Sequence, residues 1–179
     1  DFSNMFQNCY LFNSSVSMLE TSRGTSFSRM FYDARVFDHP SVAGFNLSNV
    51  TNLDSMFYNC YVFNQGLGAW DTSKIHTFTN LFVNCRVFDH PSVSGWNMTS
   101  AVSLKSMFHH AHEFNQDITG WDVSNVTSVE YLFSNAYVFN QPIGVWCMPK
   151  LSAGGSAFSN ARIFNHPLDG WDFNNIGHA

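Results

Sequence analysis

The chain has 179 residues, of which only 12% are charged while 19 are Phe, so it is the length of one ordinary domain and is poor in the Lys and Glu that favour surface helices. A net charge of −5 leaves no basic footprint for nucleic acid or anionic lipid, and no apolar run approaches the roughly 18 residues of a membrane span. The chain opens on Asp1 without a Met or a signal-like segment, which reads as a mature product or a fragment of something longer.

From the N-terminus, Phe6 begins a series continued by Phe31, Phe57, Phe82, Phe108, Phe133 and Phe158, spaced 25 or 26 residues apart. Six residues after each comes a second Phe: Phe12, Phe37, Phe63, Phe88, Phe114, Phe139 and Phe164. A third aromatic follows, Phe45, Trp70, Trp96, Trp121, Trp146 or Trp171, with Leu19 in its place in the first unit. These positions hold 15 of the 19 Phe and all five Trp, so an internal repeat sets the fold.

Each unit carries one more apolar residue between its second Phe and third aromatic, Val16 or Val42 for example, and this piece is expected to be extended. After the aromatic, apolar residues recur at steps of three, three and one before a small residue, as in Val50, Leu53, Met56, Phe57 and Cys60. That spacing predicts a short helical turn rather than a strand. The expectation is a repeat solenoid over residues 1–179, a single domain of seven 25–26-residue units, each a short extended segment plus a short helical turn. A unit of this size cannot bury three aromatics alone, but stacked neighbours can. At a strand-like spacing of about 4.8 Å, seven units make a rod roughly 30–35 Å long.

All variation in length falls between the second Phe and the third aromatic, where the identical octapeptides at residues 35–42 and 86–93 carry one residue more than the Phe-Asn-Gln units. This is the signature of a packed rung with one tolerant corner. Asn13, Asp38, Asn64, Asp89, Asn115, Asn140 and Asn165 each follow the second Phe, and such a column can bond the backbone of the next rung. The stretch from Ser14 to Gly24 and the Cys147-Met-Pro-Lys segment depart from the pattern.

The runs Asn49-Val-Thr-Asn-Leu-Asp-Ser-Met-Phe-Tyr-Asn-Cys-Tyr-Val-Phe-Asn-Gln and Gly120-Trp-Asp-Val-Ser-Asn-Val-Thr-Ser-Val-Glu-Tyr-Leu-Phe-Ser-Asn-Ala resemble the bacterial-surface-protein 26-residue repeat. That family is also seen in mycoplasma lipoproteins and in secreted algal and protist proteins, and is similar to the BspA-like leucine-rich repeats. The resemblance implies a leucine-rich-repeat-like solenoid, secreted or displayed at the cell surface, in a structural or adhesive role without catalytic residues.

Five sequons, at Asn13, Asn46, Asn49, Asn97 and Asn125, are candidate N-glycosylation sites if the chain is secreted by a eukaryote, and polar turn residues otherwise. Cys60 and Cys85 hold one repeat position in adjacent units, so a disulfide between them is possible. Ala takes that slot in four of the units, which favours a small buried filler. His109, His110, His112 and Glu113 resemble a metal cluster, but adjacent residues on a helical turn diverge by about 100°, so a surface His run is the better reading. His39, His90 and His166 precede Pro at the corner and line one edge. Asp71, Asp122 and Asp172 recur every two units as a structural column, and Gly154-Gly155 is a local defect. No nucleophile with a base, no paired carboxylates and no phosphate-cradling glycines stand out, so no enzyme, cofactor or metal is expected.

Both ends fall inside a unit. A second copy placed after Ala179 puts its Phe6 fourteen residues from Trp171, against twelve within the chain. Copies are therefore expected to associate head to tail through Phe2, Phe6, Trp171, Phe173 and Ile176, a heterologous contact that builds filaments. The alternative is an adhesin-type module that grips a host or matrix protein or a glycan through one face, for which Tyr10, Tyr61 and Tyr137 stand at matching positions.

Overall fold

The computed structural model describes residues 1–174 and residue 176. Its seven units lie in register on one another, yet the expected strand-plus-helix, leucine-rich-repeat-like solenoid is not what forms. Among the described residues there is no strand and no α-helix, only isolated parallel bridges (Ser26, Asn52, Thr77, Ser103, Ser128 and Ala153 in one line) and three short 3-10 helices at Pro40–Gly44, Pro91–Gly95 and Ile143–Val145. The piece expected to be extended holds the 3-10 helices, and the piece expected to be helical is a chain of overlapping β-turns.

The third unit shows how the turns work. The N–H groups of Met56, Tyr58, Cys60 and Phe63 donate to the carbonyls of Leu53, Ser55, Phe57 and Cys60, each three residues back. The N–H groups between them, on Leu53, Ser55, Phe57 and Asn59, donate forward to Thr77, Thr79, Leu81 and Val83 of the next unit at 2.8–3.3 Å. The carbonyls of Asn52, Asp54, Met56 and Tyr58 accept from Phe27, Arg29, Phe31 and Asp33 of the unit before. Half the polar backbone thus closes turns and the other half ties units together, and the polar groups of a buried backbone are accounted for without strand or helix.

Two of these turns, Leu53–Met56 and Phe57–Cys60, have φ > 0 at their third residue, as a type II turn requires. Two residues per unit supply it, Ser55 (φ 56°) and Asn59 (φ 60°) here, and among the described residues seven of the fourteen with positive φ are Asn, the residue that tolerates this region best after Gly. The inward residues of such a ribbon, Leu53, Met56, Phe57 and Cys60, are fully buried. Their spacing is the one a helix would give, which is why the pattern misleads.

The length variation sits where expected. The 3-10 helices at Pro40–Gly44 and Pro91–Gly95 begin with Pro after a His whose Nδ1 accepts from the Ser41 or Ser92 N–H. The same serine Oγ accepts the N–H of Val16 or Leu67 in the preceding unit at 2.8–2.9 Å, so the extra residue is absorbed without loss of the inter-unit bond. At the corner of the last two units a Cβ on Gly144 would collide with the Pro167 carbonyl, which restricts that position to glycine.

Three aromatic columns fill the interior. Rings of the first Phe series stack on successive units at 5.4–5.8 Å, and within the fourth to sixth units the two Phe rings stand 3.8–4.1 Å apart. The Trp rings stack at 6.1 Å, and each indole N–H donates to a carbonyl of the preceding unit, as Trp96 does to Leu67. Burying one large apolar side chain is worth about 1.5–3 kcal/mol, so these columns dominate stability, and the inter-unit bonds satisfy the buried indole N–H groups.

Candidate functional site

The surface inherits the same register, so every outward position becomes a column along the stack. Oδ1 of Asn13, Asp38, Asn64, Asp89, Asn115 and Asn140 accepts the backbone N–H of the equivalent residue one unit on, at 2.8–3.0 Å, which is the ladder expected from the sequence. Of the sequon residues, Asn13 is spent on this ladder, and Asn49 and Asn125 donate Nδ2 to the Ser22 and Thr99 carbonyls of the unit before. Asn46 and Asn97 are exposed and use only Oδ1, to close their own turns on Ser48 and Thr99.

Cys60 and Cys85 are free thiols, not a disulfide; each is fully buried and donates to a different carbonyl, Phe31 or Phe57, at 3.1 Å. Burial holds both thiols well above their ordinary pKa, so they act as small core residues, while Cys9 and Cys147 are exposed. The histidines at 109, 110 and 112 pack edge-on to one another at 4.3 and 5.8 Å, and partial burial pushes all three below the usual histidine range. Among the described residues no group of three or more His, Cys, Asp or Glu is placed to hold a metal ion. His39 and His90 cap the 3-10 helices, and His166 meets the Asn140 carbonyl. A cleft of about 300 Å³ between Pro142, Gly144, Val145, Pro167 and Asp169 is mostly apolar.

Asp71 and Asp122 each hold their own turn through Oδ1, and the serine two residues on keeps their carboxyls below the ordinary range. With Glu20 and Asp172 they form an acidic column at two-unit steps, interleaved by Asn46 and Asn97.

Tyr10, Tyr61 and Tyr137 stand out in the sequence by their matching positions, but the basic residues between them do not. Tyr10, Arg35, Tyr61, Arg86, His112, Tyr137 and Arg162 occupy one column. Arg35 stands over the Tyr10 ring at 4.5 Å, Arg86 over Tyr61 at 4.6 Å and Arg162 over Tyr137 at 3.9 Å, and His112 stacks on Tyr137 at 4.4 Å. The next column is apolar, with exposed Leu11, half-exposed Val36, Val62, Val87 and Ile163, and partly buried Val138, interrupted by Glu113. On the other side Tyr32 stacks on Tyr58 at 4.6 Å beneath Arg29, and Tyr131 meets His109 edge-on. All six Tyr and four of the five Arg therefore share one flank. The signal was available, because the residue after the small buried position is Tyr, Arg or His in every unit.

The two ends are complementary. Interior Phe residues are fully buried, whereas Phe2, Phe6 and Phe12 at one end and Phe158 and Phe164 at the other are only partly so. Among the described residues nothing accepts from the N–H groups of Ser156, Phe158 and Asn160, and nothing donates to the carbonyls of Ser3, Met5 and Gln7. These are the positions that bond between units everywhere else. Of the residues expected at this contact, Trp171 is buried against Trp146 and Phe158, so it presents little surface, while Phe173 and Ile176 remain at least partly exposed.

A family model described as Mycoplasma protein of unknown function, DUF285, matches residues 1–92 and 77–179. No curated protein and no solved structure matches the chain.

Proposed function

This chain belongs to the DUF285 family of mycoplasma proteins, a repeat family, and on that premise we propose that it is a non-enzymatic structural protein of the cell surface or exterior whose copies stack end to end. The observation that supports this reading is the register of the stack, in which the first and last described units present the inter-unit backbone groups that a further unit of the same kind would meet. Ser156, Phe158 and Asn160 offer N–H groups in the register in which Ser3, Met5 and Gln7 offer carbonyls. Half-covered Phe rings on both faces supply the apolar area such a contact needs. A further unit laid on either face repeats contacts made six times inside the chain. Because the two faces differ, the contact is heterologous and extends without closing. The resemblance to surface-protein repeats supports the extracellular setting.

Sedimentation velocity and negative-stain microscopy across a range of concentrations test this. Wild-type protein forms filaments with an axial repeat near one molecular length. Phe6→Glu spoils one face and Phe158→Glu the other, so neither variant alone stacks end to end. Mixed, they pair through their intact faces and stop at dimers. Wild-type protein that remains monomeric at every concentration sinks the reading, as does a Phe6→Glu chain that polymerises normally.

The second reading, an adhesin-type module for a host or matrix protein or a glycan, is favoured by the Tyr–Arg flank, since Tyr and Arg are the residue types that dominate binding surfaces.

A further inference from the structure

We propose that the Tyr–Arg flank of one copy packs side by side against the acidic column of a second copy, so that stacks associate laterally as well as end to end. The proposal rests on the structural reading above, and adds an interface that the end faces do not use.

Four features carry it. First, the chain's charge is segregated. The three columns that hold the Tyr and Arg contain four of the eight Lys and Arg and none of the thirteen Asp and Glu, with Asp33, Glu113 and Glu130 among the flanking neighbours, so the rest of the surface is strongly acidic and complementary to them. Second, the steps match. Arg35 and Arg86 are 51 residues apart, and so are Glu20 and Asp71, and Asp71 and Asp122. In a stack of constant rise, columns with the same two-unit step meet in register at more than one point.

Third, the groups are prepared for each other. A guanidinium laid over a Tyr ring keeps its N–H fork free to take a carboxylate bidentately. Arg86 and Arg162 have no carboxylate partner among the described residues, while Arg35 is shared with Asp33 at 3.5 Å. On the other side, Asp71 and Asp122 use Oδ1 for their own turns and are exposed. Fourth, the half-exposed Val36, Val62 and Val87 run beside the arginines, an apolar seam that lateral packing covers. Such a seam next to Tyr and Arg has the composition of an interface core.

The experiment is run on chains carrying Phe6→Glu, which blocks end-to-end stacking, so that any association is lateral and its failure is separable from failure of the stacking reading. Sedimentation equilibrium at low salt should show dimers and larger lateral oligomers, their association weakened about tenfold or more in about 1 M salt, where the screening length falls to about 3 Å. Arg35→Glu with Arg86→Glu should abolish them. Asp71→Asn with Asp122→Asn, which keeps the turn oxygen and removes the charge, should do the same. Mixing the arginine double variant with an Asp71→Arg, Asp122→Arg chain should restore association between the two. A chain monomeric at low salt, or a mixture that fails to pair, overturns the proposal. So does salt-sensitive, arginine-dependent binding of polygalacturonate without self-association, which instead makes the flank a receptor for an acidic glycan.

Discussion

The cysteines show at residue scale how a stack turns sequence position into chemistry. Cys60 and Cys85, in adjacent units, share one inward column with Ala34, Ala111 and Ala136, where a thiol acts as a small core residue with a weak donor. Each spends that donor on a carbonyl of the preceding unit. Desolvation disfavours the thiolate, which is the reactive species. In native protein a thiol reagent such as DTNB should titrate two groups, Cys9 and Cys147, and in guanidinium all four. A titre of two under both conditions would instead establish a Cys60–Cys85 bridge. The shared position of these cysteines was legible in the sequence. Their free state was not, because neighbouring rungs satisfy the distance rule for a disulfide equally well.

The element here is the overlapping turn, and its weak points are side chains forced to φ > 0. Ser and Asn hold the first of the two positive-φ positions in most units, but Arg29 (φ 56°) and Tyr131 (φ 55°) hold it in two. A bulky residue in this region costs on the order of 1 kcal/mol. Tyr131→Asn should therefore stabilise the chain by about 0.5–1 kcal/mol, read as a higher thermal midpoint, although the edge contact with His109 is lost. A lowered midpoint would mean that the aromatic packing outweighs the backbone strain. This is also where the sequence misled. A 3-3-1-3 apolar spacing fits one face of a helix and one face of a turn ribbon alike. What separates them is the destination of every second N–H, and that lies 24 or 25 residues away.

For the whole molecule, each unit touches only its neighbours, so stability is close to a sum of nearest-neighbour terms. A ring in the middle is packed on both sides and one at an end on one side only. Phe108→Ala should cost about 3–5 kcal/mol, and Phe6→Ala roughly half of that, by chemical denaturation. Equal costs at the two positions would show that the end ring is already covered, and would count against an open face.

The sequence by itself determined the period, the seven units, the three aromatic columns, the tolerant corner and the Asn/Asp ladder. Each of these repeats at a fixed step, and a fixed step in sequence becomes a column once units stack. Only the tertiary structure decided what the backbone does between those positions. Whether an N–H closes a turn or bonds the next unit depends on a partner about 25 residues away, which no local spacing encodes. The tertiary structure also set side chains from adjacent units against each other, laying arginine on tyrosine along one flank and thiols on separate carbonyls in the core. Contacts made between units, and not within them, separate what could be read from the chain from what had to be seen.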